Sequence, residues 1–410
     1  MNKIELLAPA GNLEKLKMAI LYGADAVYFG GETYGLRASA DNFSAEDIKE
    51  GIDFVHSYGK KAYMTMNIIP HNDDLVGMDL FVKELTALGL DAIILSDPGV
   101  LSIVKEANPD IEIHLSTQAN NTNYKSAEFW HKQGIQRIIL ARELSFAEIK
   151  QIKDNVPRDL ELEVFIHGAM CISYSGRCLL SNYMVGRDSN RGLCAHPCRW
   201  KYSLMEEKRP DEYFPVYEND RGTFIFNSKD LCMIEHIPEL VESGVVSVKI
   251  EGRMKSSFYV ATVIKAYRKA IDEYYADPQN YEFNPKWLDE ISKASHREYT
   301  KGFYFQKPGA DEQVYTNSSY IREYDFVGLV LEYDKATGVA KVEQRNRIFE
   351  GEEVEIVPPE GDFFIQVIKD LKNEEGNAIS VAPHAQMILY IPIEKEVRPY
   401  TILRKKRQQY

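Results

Sequence analysis

Four of the five cysteines, Cys171, Cys178, Cys194 and Cys198, fall in one stretch at the spacing C-x6-C-x15-C-x3-C. Four thiolates can close a structural zinc site or hold a 4Fe-4S cluster. Zinc knuckles draw their ligands from close pairs, and only Cys194 and Cys198 form one here. A cluster accepts wider spacing because its ligands reach around a cube, so the spacing favours the cluster and leaves zinc as the competitor. A catalytic thiol, Cys171 activated by His167 or His196, would use one cysteine and leave three without a role. Cys232 stands apart in Asp230-Leu-Cys-Met-Ile, a setting for packing.

The residues around these thiols are basic. From Cys171 to Arg209 there are seven Lys/Arg against three Asp/Glu, in a chain of 410 residues with net charge −13. A positive island in an acidic protein suits an anionic substrate, while the overall acidity disfavours nucleic-acid binding by bulk charge. The first residues are too short and too charged an apolar run for a signal peptide, and no stretch approaches the roughly 18 apolar residues of a membrane span. A cytoplasmic location follows as the expectation, with no membrane partner and with reduced cysteines that serve as ligands rather than disulfides.

The elements that must position this chemistry recur along the chain. Apolar runs lie at Ile4 to Leu7, Ala26 to Phe29, Ala62 to Met66, Ala92 to Leu95, Ile111 to Leu115, Arg137 to Leu140, Leu162 to Ile166 and Val245 to Ile250. Helical patterns separate them. Four runs follow a glycine placed to end a helix, at Gly23, Gly89, Gly134 and Gly244, which reads as an internal βα repeat. Near-continuous apolar strands belong to a parallel sheet covered on both faces. Eight such units predict an α/β fold, a (β/α)8 TIM-like barrel, whose mouth is lined by the residues after each strand. Those residues include Asn67, Gln118, Arg142, His167, Glu251 and Arg253, and solvated strand ends are the plain alternative for any one of them. The cysteines occupy the long interval after strand seven.

From about residue 320 the pattern changes to period two, with a hairpin turn at Asp334-Lys-Ala-Thr-Gly338. The expected organisation is a barrel over residues 1–275 with the cysteine insertion at about 168–230, a helical linker over 276–319, and an all-β small-barrel domain over 320–410. The basic run Arg404 to Arg407 reads as a solvated tail, with an RNA phosphate contact as the alternative. No H-E-x-x-H or G-x-S-x-G phrase is present, so hydrolysis lacks a visible metal site or nucleophile elbow.

Glu163-Val-Phe-Ile-His-Gly-Ala-Met-Cys-Ile-Ser-Tyr-Ser-Gly-Arg-Cys-Leu-Leu-Ser181 closely resembles the signature of the collagenase-like peptidase family of unknown catalytic type. The similarity continues through Arg187-Asp-Ser-Asn-Arg-Gly-Leu-Cys194, Leu7-Ala-Pro-Ala-Gly11 and Val248-Lys-Ile-Glu-Gly-Arg-Met-Lys255. Length and the β domain most resemble the branch that hydroxylates tRNA wobble uridine with prephenate. The resemblance implies oxygen-independent formation of 5-hydroxyuridine, with tRNA and prephenate as partners and a 4Fe-4S cluster on Cys171, Cys178, Cys194 and Cys198. A related subunit or homo-oligomer also stays open, as do peptide hydrolysis and hydroxylation of another RNA or a small molecule.

Prephenate carries two carboxylates, so its site calls for guanidinium forks, for which Arg142, Arg177, Arg191 and Arg253 are the candidates. Asn67, Gln118 and Lys249 join them as substrate-binding candidates, and His167, Glu163 and Glu251 as catalytic ones. Surface ion pairing is the ordinary role for each arginine, and Glu163 serves equally well to orient one. An extruded uridine needs aromatic stacking, for which Tyr174, Tyr183 and Trp200 stand near the cysteines.

Overall fold

The computed structural model describes residues 3–31, 43–171, 173–175, 177–187, 189, 193–199, 218–219, 222–223, 229–306 and 320–407. Eight parallel strands form the barrel: Glu5–Pro9, Ala26–Phe29, Lys61–Met66, Ala92–Leu95, Glu112–Leu115, Arg137–Ile139, Glu161–Ala169 and Ser247–Ile250. Each pairs with the next, and the eighth pairs with both the first and the seventh, which closes the ring. All eight apolar runs of the sequence are strands, and helices such as Leu13–Leu21, Ala45–Ser57 and Pro98–Ala107 return the chain between them. The glycines before these strands, Gly23, Gly89, Gly134 and Gly244, all have positive φ, the left-handed turn that ends a helix without a Cβ clash.

Strand seven departs from regularity. Lys249 on strand eight faces Phe165, but the next residue, Ile250, faces His167, so strand seven carries an extra residue at Ile166. Such a bulge inverts the in-and-out alternation beyond it. Past the bulge the strand also pairs on its other side with the short antiparallel strand Asp230–Cys232, which in turn pairs with Tyr299–Thr300.

The region expected as a linker packs into the barrel unit. Helix Pro285–Ser292 lies against the 20-residue helix Ser257–Ala276 that follows strand eight, and Trp287 and Ile291 join the barrel's core. From residue 324 the chain forms a six-stranded antiparallel sheet around its own apolar core, with a separate two-stranded sheet. This half-barrel is the all-β domain that the period-two pattern predicts.

The half-barrel is fixed to the barrel by apolar and polar contacts together. Leu329, Val357 and Ile402 bury into the barrel's core, and Phe258 stacks on Phe326 at 5.9 Å. The Tyr22 hydroxyl donates to the carbonyls of Val357 and Tyr400 at 2.8 and 2.9 Å. Arg404 is fully buried and bonds Glu355 and Glu290 at 2.7 Å each. The supposed basic tail is therefore largely a strand, Ile402–Lys406, in which Arg404 is buried and Lys405 pairs with Glu352, while Lys406 and Arg407 stay exposed.

Candidate active site at the barrel mouth

The C-terminal ends of the barrel strands, the cysteine segment and one face of the half-barrel enclose a cavity of about 1180 Å³. Eight Lys/Arg against three Asp/Glu line it among the described residues. The cavity is thus positive within an acidic chain, and it concentrates anions.

Its floor is built by strand eight against strands two and seven. Lys249 Nζ lies 3.0 Å from Glu163 Oε1 and 4.2 Å from the centre of the Tyr28 ring. Glu163 is fully buried and also faces Arg137 Nη1 at 3.4 Å. Burial pushes its carboxyl up, but Lys249 and Arg137 outweigh that and hold it below the ordinary carboxylate range. It stands behind Lys249 rather than on the cavity surface.

Two guanidiniums flank the floor. Arg142 stacks 3.9 Å from the centre of the Phe165 ring, donates to the Ala169 carbonyl at 2.7 Å and lies 3.7 Å from the Glu251 carboxylate. Arg253 is 5% exposed and donates to Thr65 Oγ1 at 3.3 Å. Room for the segment Glu251 to Arg253 is made by glycines: a Cβ at Gly30 would meet the Arg253 guanidinium, at Gly11 the Arg253 carbonyl, and at Gly168 the Glu251 carbonyl. The phrases Pro-Ala-Gly11, Gly30-Gly31 and His-Gly168 at three strand ends are thus one steric solution. Opposite, Asn67 Nδ2 donates to Ser116 Oγ at 3.0 Å. The buried Asn67 Oδ1 and Gln118 Oε1 accept no hydrogen bond among the described residues, which leaves two acceptors for a donor on a ligand.

Cys171, Cys178, Cys194 and Cys198 all line this cavity. None is in a disulfide; Cys171 is exposed and the others half-buried. Cys194 Sγ accepts the His196 amide at 3.4 Å. No three His, Cys, Asp or Glu side chains among the described residues converge closely enough to hold a single metal ion.

The structure brings Asn67, Gln118, Arg142, Lys249, Glu251, Arg253 and the four cysteines together, and leaves other candidates elsewhere. His167 is the clearest departure, because the bulge before it turns its ring away from the cavity and behind the wall. There it is buried among Tyr259, Tyr267 and Tyr299, and burial pushes its pKa down to about 3 despite Asp230. Arg177 is exposed and does not line the cavity. Tyr174 does line it, whereas Tyr183 is exposed elsewhere. Arg191 and Trp200 lie outside the described residues.

Sequence reasoning missed Arg137, whose charge inside an apolar strand was the available signal. It also missed the half-barrel's contribution of Tyr320, Arg322, Phe326 and Arg345 to the cavity, which nothing local in those residues announces.

Comparison with known proteins agrees with this architecture. The model of Peptidase family U32 matches residues 11–314, and that of the Peptidase family U32 C-terminal domain matches residues 322–404. The chain is 45% identical over 403 residues to "tRNA hydroxylation protein P1" of Bacillus subtilis, covering 98% of this chain and 95% of the relative. It is 37% identical over 437 residues to "tRNA hydroxylation protein P" of Escherichia coli, covering 97% and 95%. It is 31% identical over 410 residues to "Collagenase" of Porphyromonas gingivalis, covering 97% and 96%. A barrel with a C-terminal half-barrel, matched by both family models over nearly its whole length, makes this chain a member of peptidase family U32.

Proposed function

We propose that this protein hydroxylates tRNA, converting a wobble uridine to 5-hydroxyuridine without oxygen and with prephenate as co-substrate. The observation that carries the reading is the 45% identity, over 98% of the chain, to a relative named for tRNA hydroxylation. The cavity supports it. One drug-sized ligand occupies roughly 300–1,000 Å³, and about 1180 Å³ accommodates a small acid and an extruded base together.

The four thiols suit a 4Fe-4S cluster: none is in a disulfide, all line one cavity, and thiolates are the ligands such clusters take. Cys171, Cys178, Cys194 and Cys198 would hold it, and it would supply one-electron or Lewis-acid chemistry at the mouth. The chain's own residues bind and orient. Arg142 and Arg253 present guanidiniums for the carboxylates of prephenate, and Lys249 offers an ammonium beneath them. Glu251, 3.7 Å from Arg142, fixes that guanidinium and is the carboxylate placed to exchange a proton with a ligand. A flipped uridine requires a stacking face and donors or acceptors for its edge, which Tyr174, Asn67 and Gln118 provide. Lys255 and Arg297 add two cations to the cavity wall and hold Tyr320 between them at 4.0 and 4.4 Å from its ring centre.

The test is the reaction itself. Protein purified without oxygen should contain about four iron and four acid-labile sulfide per chain. Incubated with prephenate and uridine-bearing tRNA, it should form 5-hydroxyuridine, detected by nucleoside mass spectrometry. Zinc without sulfide removes the cluster from this reading. The collagenase relative keeps peptide hydrolysis as the second reading; gelatin cleavage that survives loss of all four cysteines would replace the first.

A further inference from the structure

Barrel interiors are ordinarily filled by layers of branched aliphatic side chains. Here the layer beneath the cavity is ionic. Arg137 bonds Glu5 at 2.5 Å, Glu161 at 2.7 Å and Glu163 at 3.4 Å. Tyr63 and Ser247 each donate to Glu5 at 2.8 Å. Well-packed apolar residues would stabilise such a layer at least as well, so stability does not account for it.

The layer has one outlet to the cavity. Lys249 is 4% exposed and lines the floor, while Glu163 beside it is sealed. An ammonium has three donors, and Glu163 Oε1 is the one acceptor that Lys249 meets among the described residues. The faces of Tyr28 and Phe165 lie at 4.2 and 5.6 Å. They stabilise a cation without accepting its hydrogen bonds fully. The unfilled donors thus belong to whatever enters the cavity between Arg142 and Arg253.

We infer that Lys249 binds a carboxylate of a small anionic ligand at the cavity floor, and that Glu163 and Arg137 are positioning residues that fix its ammonium there. The inference deepens the proposed function and rests on it for the ligand's identity. Arg137 keeps the Glu163 carboxylate in place from below, and Glu163 holds the Lys249 ammonium toward the cavity. Facing Lys249 are Glu163 and Phe165 from strand seven and Tyr28 from strand two. Behind these stand Glu5, Arg137 and His114, and Glu251 and Arg253 follow on its own strand. Without the Glu163 carboxylate the ammonium would lose the one acceptor among the described residues that aims it.

Binding is measured by calorimetry on the full-length protein purified without oxygen, with no tRNA present, using prephenate and, separately, malonate. Lys249→Met should weaken binding by about 10- to 100-fold, the scale of one charged hydrogen bond. Glu163→Gln should weaken binding of both acids by about 10-fold, because its amide does not hold the ammonium as the carboxylate does. Glu163→Asp should restore most of the affinity, and Arg137→Lys should leave it intermediate. A merely structural role would change the amount of folded protein, followed by circular dichroism, and not the affinity of the folded fraction.

Malonate binding without prephenate binding would keep the floor site and sink prephenate as co-substrate. The inference is overturned if neither acid binds, if Lys249→Met binds as wild type does, or if the folded Glu163→Gln protein keeps wild-type affinity.

Discussion

At the scale of single residues, the sequence announced the thiols and the charged candidates but not how the charges pair. Four cysteines in one stretch are legible because no other residue type carries that chemistry. Glu163 and Lys249 were visible only as charges in apolar strands, and their contact depends on a register that sequence does not print. His167 shows the limit from the other side: it follows a strand, as a mouth residue should, but one extra residue before it reverses its direction. Its ring packs among Tyr259, Tyr267 and Tyr299 instead of facing the cavity. Burial holds its pKa at about 3 in the folded state, whereas the unfolded chain protonates near 6.5. The unfolded state therefore binds more protons below about pH 6.5, and the stability present above that pH is lost as pH falls toward 3. His114 and His296, also pushed down first by burial, add to the same trend. Urea titrations of His167→Asn from pH 7 to pH 4.5 should show a slope shallower than wild type by up to about 1.4 kcal/mol per pH unit, with cavity binding retained. An unchanged slope would mean that the imidazole titrates normally.

At the scale of elements, all eight strands were legible because a parallel strand buried on both faces is an apolar run, and the helix-ending glycines marked the phase. What could not be read was which strand ends touch. The glycines at the ends of strands one, two and seven look like unrelated loop residues, yet all clear space for Glu251 to Arg253. Gly30 is the sharpest case, since a Cβ there would lie 2.5 Å from the Arg253 guanidinium. Gly30→Ala should displace that side chain and weaken binding of a dicarboxylate about 10-fold or more, at a stability cost of about 1–3 kcal/mol. Calorimetry beside a denaturation curve checks both. Wild-type affinity in that variant would show that Arg253 does not contact the ligand.

At the scale of the whole molecule, the half-barrel is part of the site rather than an appended module. Its period-two strands were readable, but its place against the mouth follows from long-range contacts such as Tyr22 to Val357 and Arg404 to Glu290. Barrel, cysteine segment and half-barrel together make one positive cavity that none of them makes alone. The proposed hydroxylation of tRNA at the four thiols is decided by nucleoside mass spectrometry of tRNA from cells lacking this gene, complemented with wild type or with Cys171→Ser. 5-Hydroxyuridine and its derivatives should return with the wild-type gene and stay absent with Cys171→Ser. Equal levels of these nucleosides in the deleted strain and both complemented strains would contradict it.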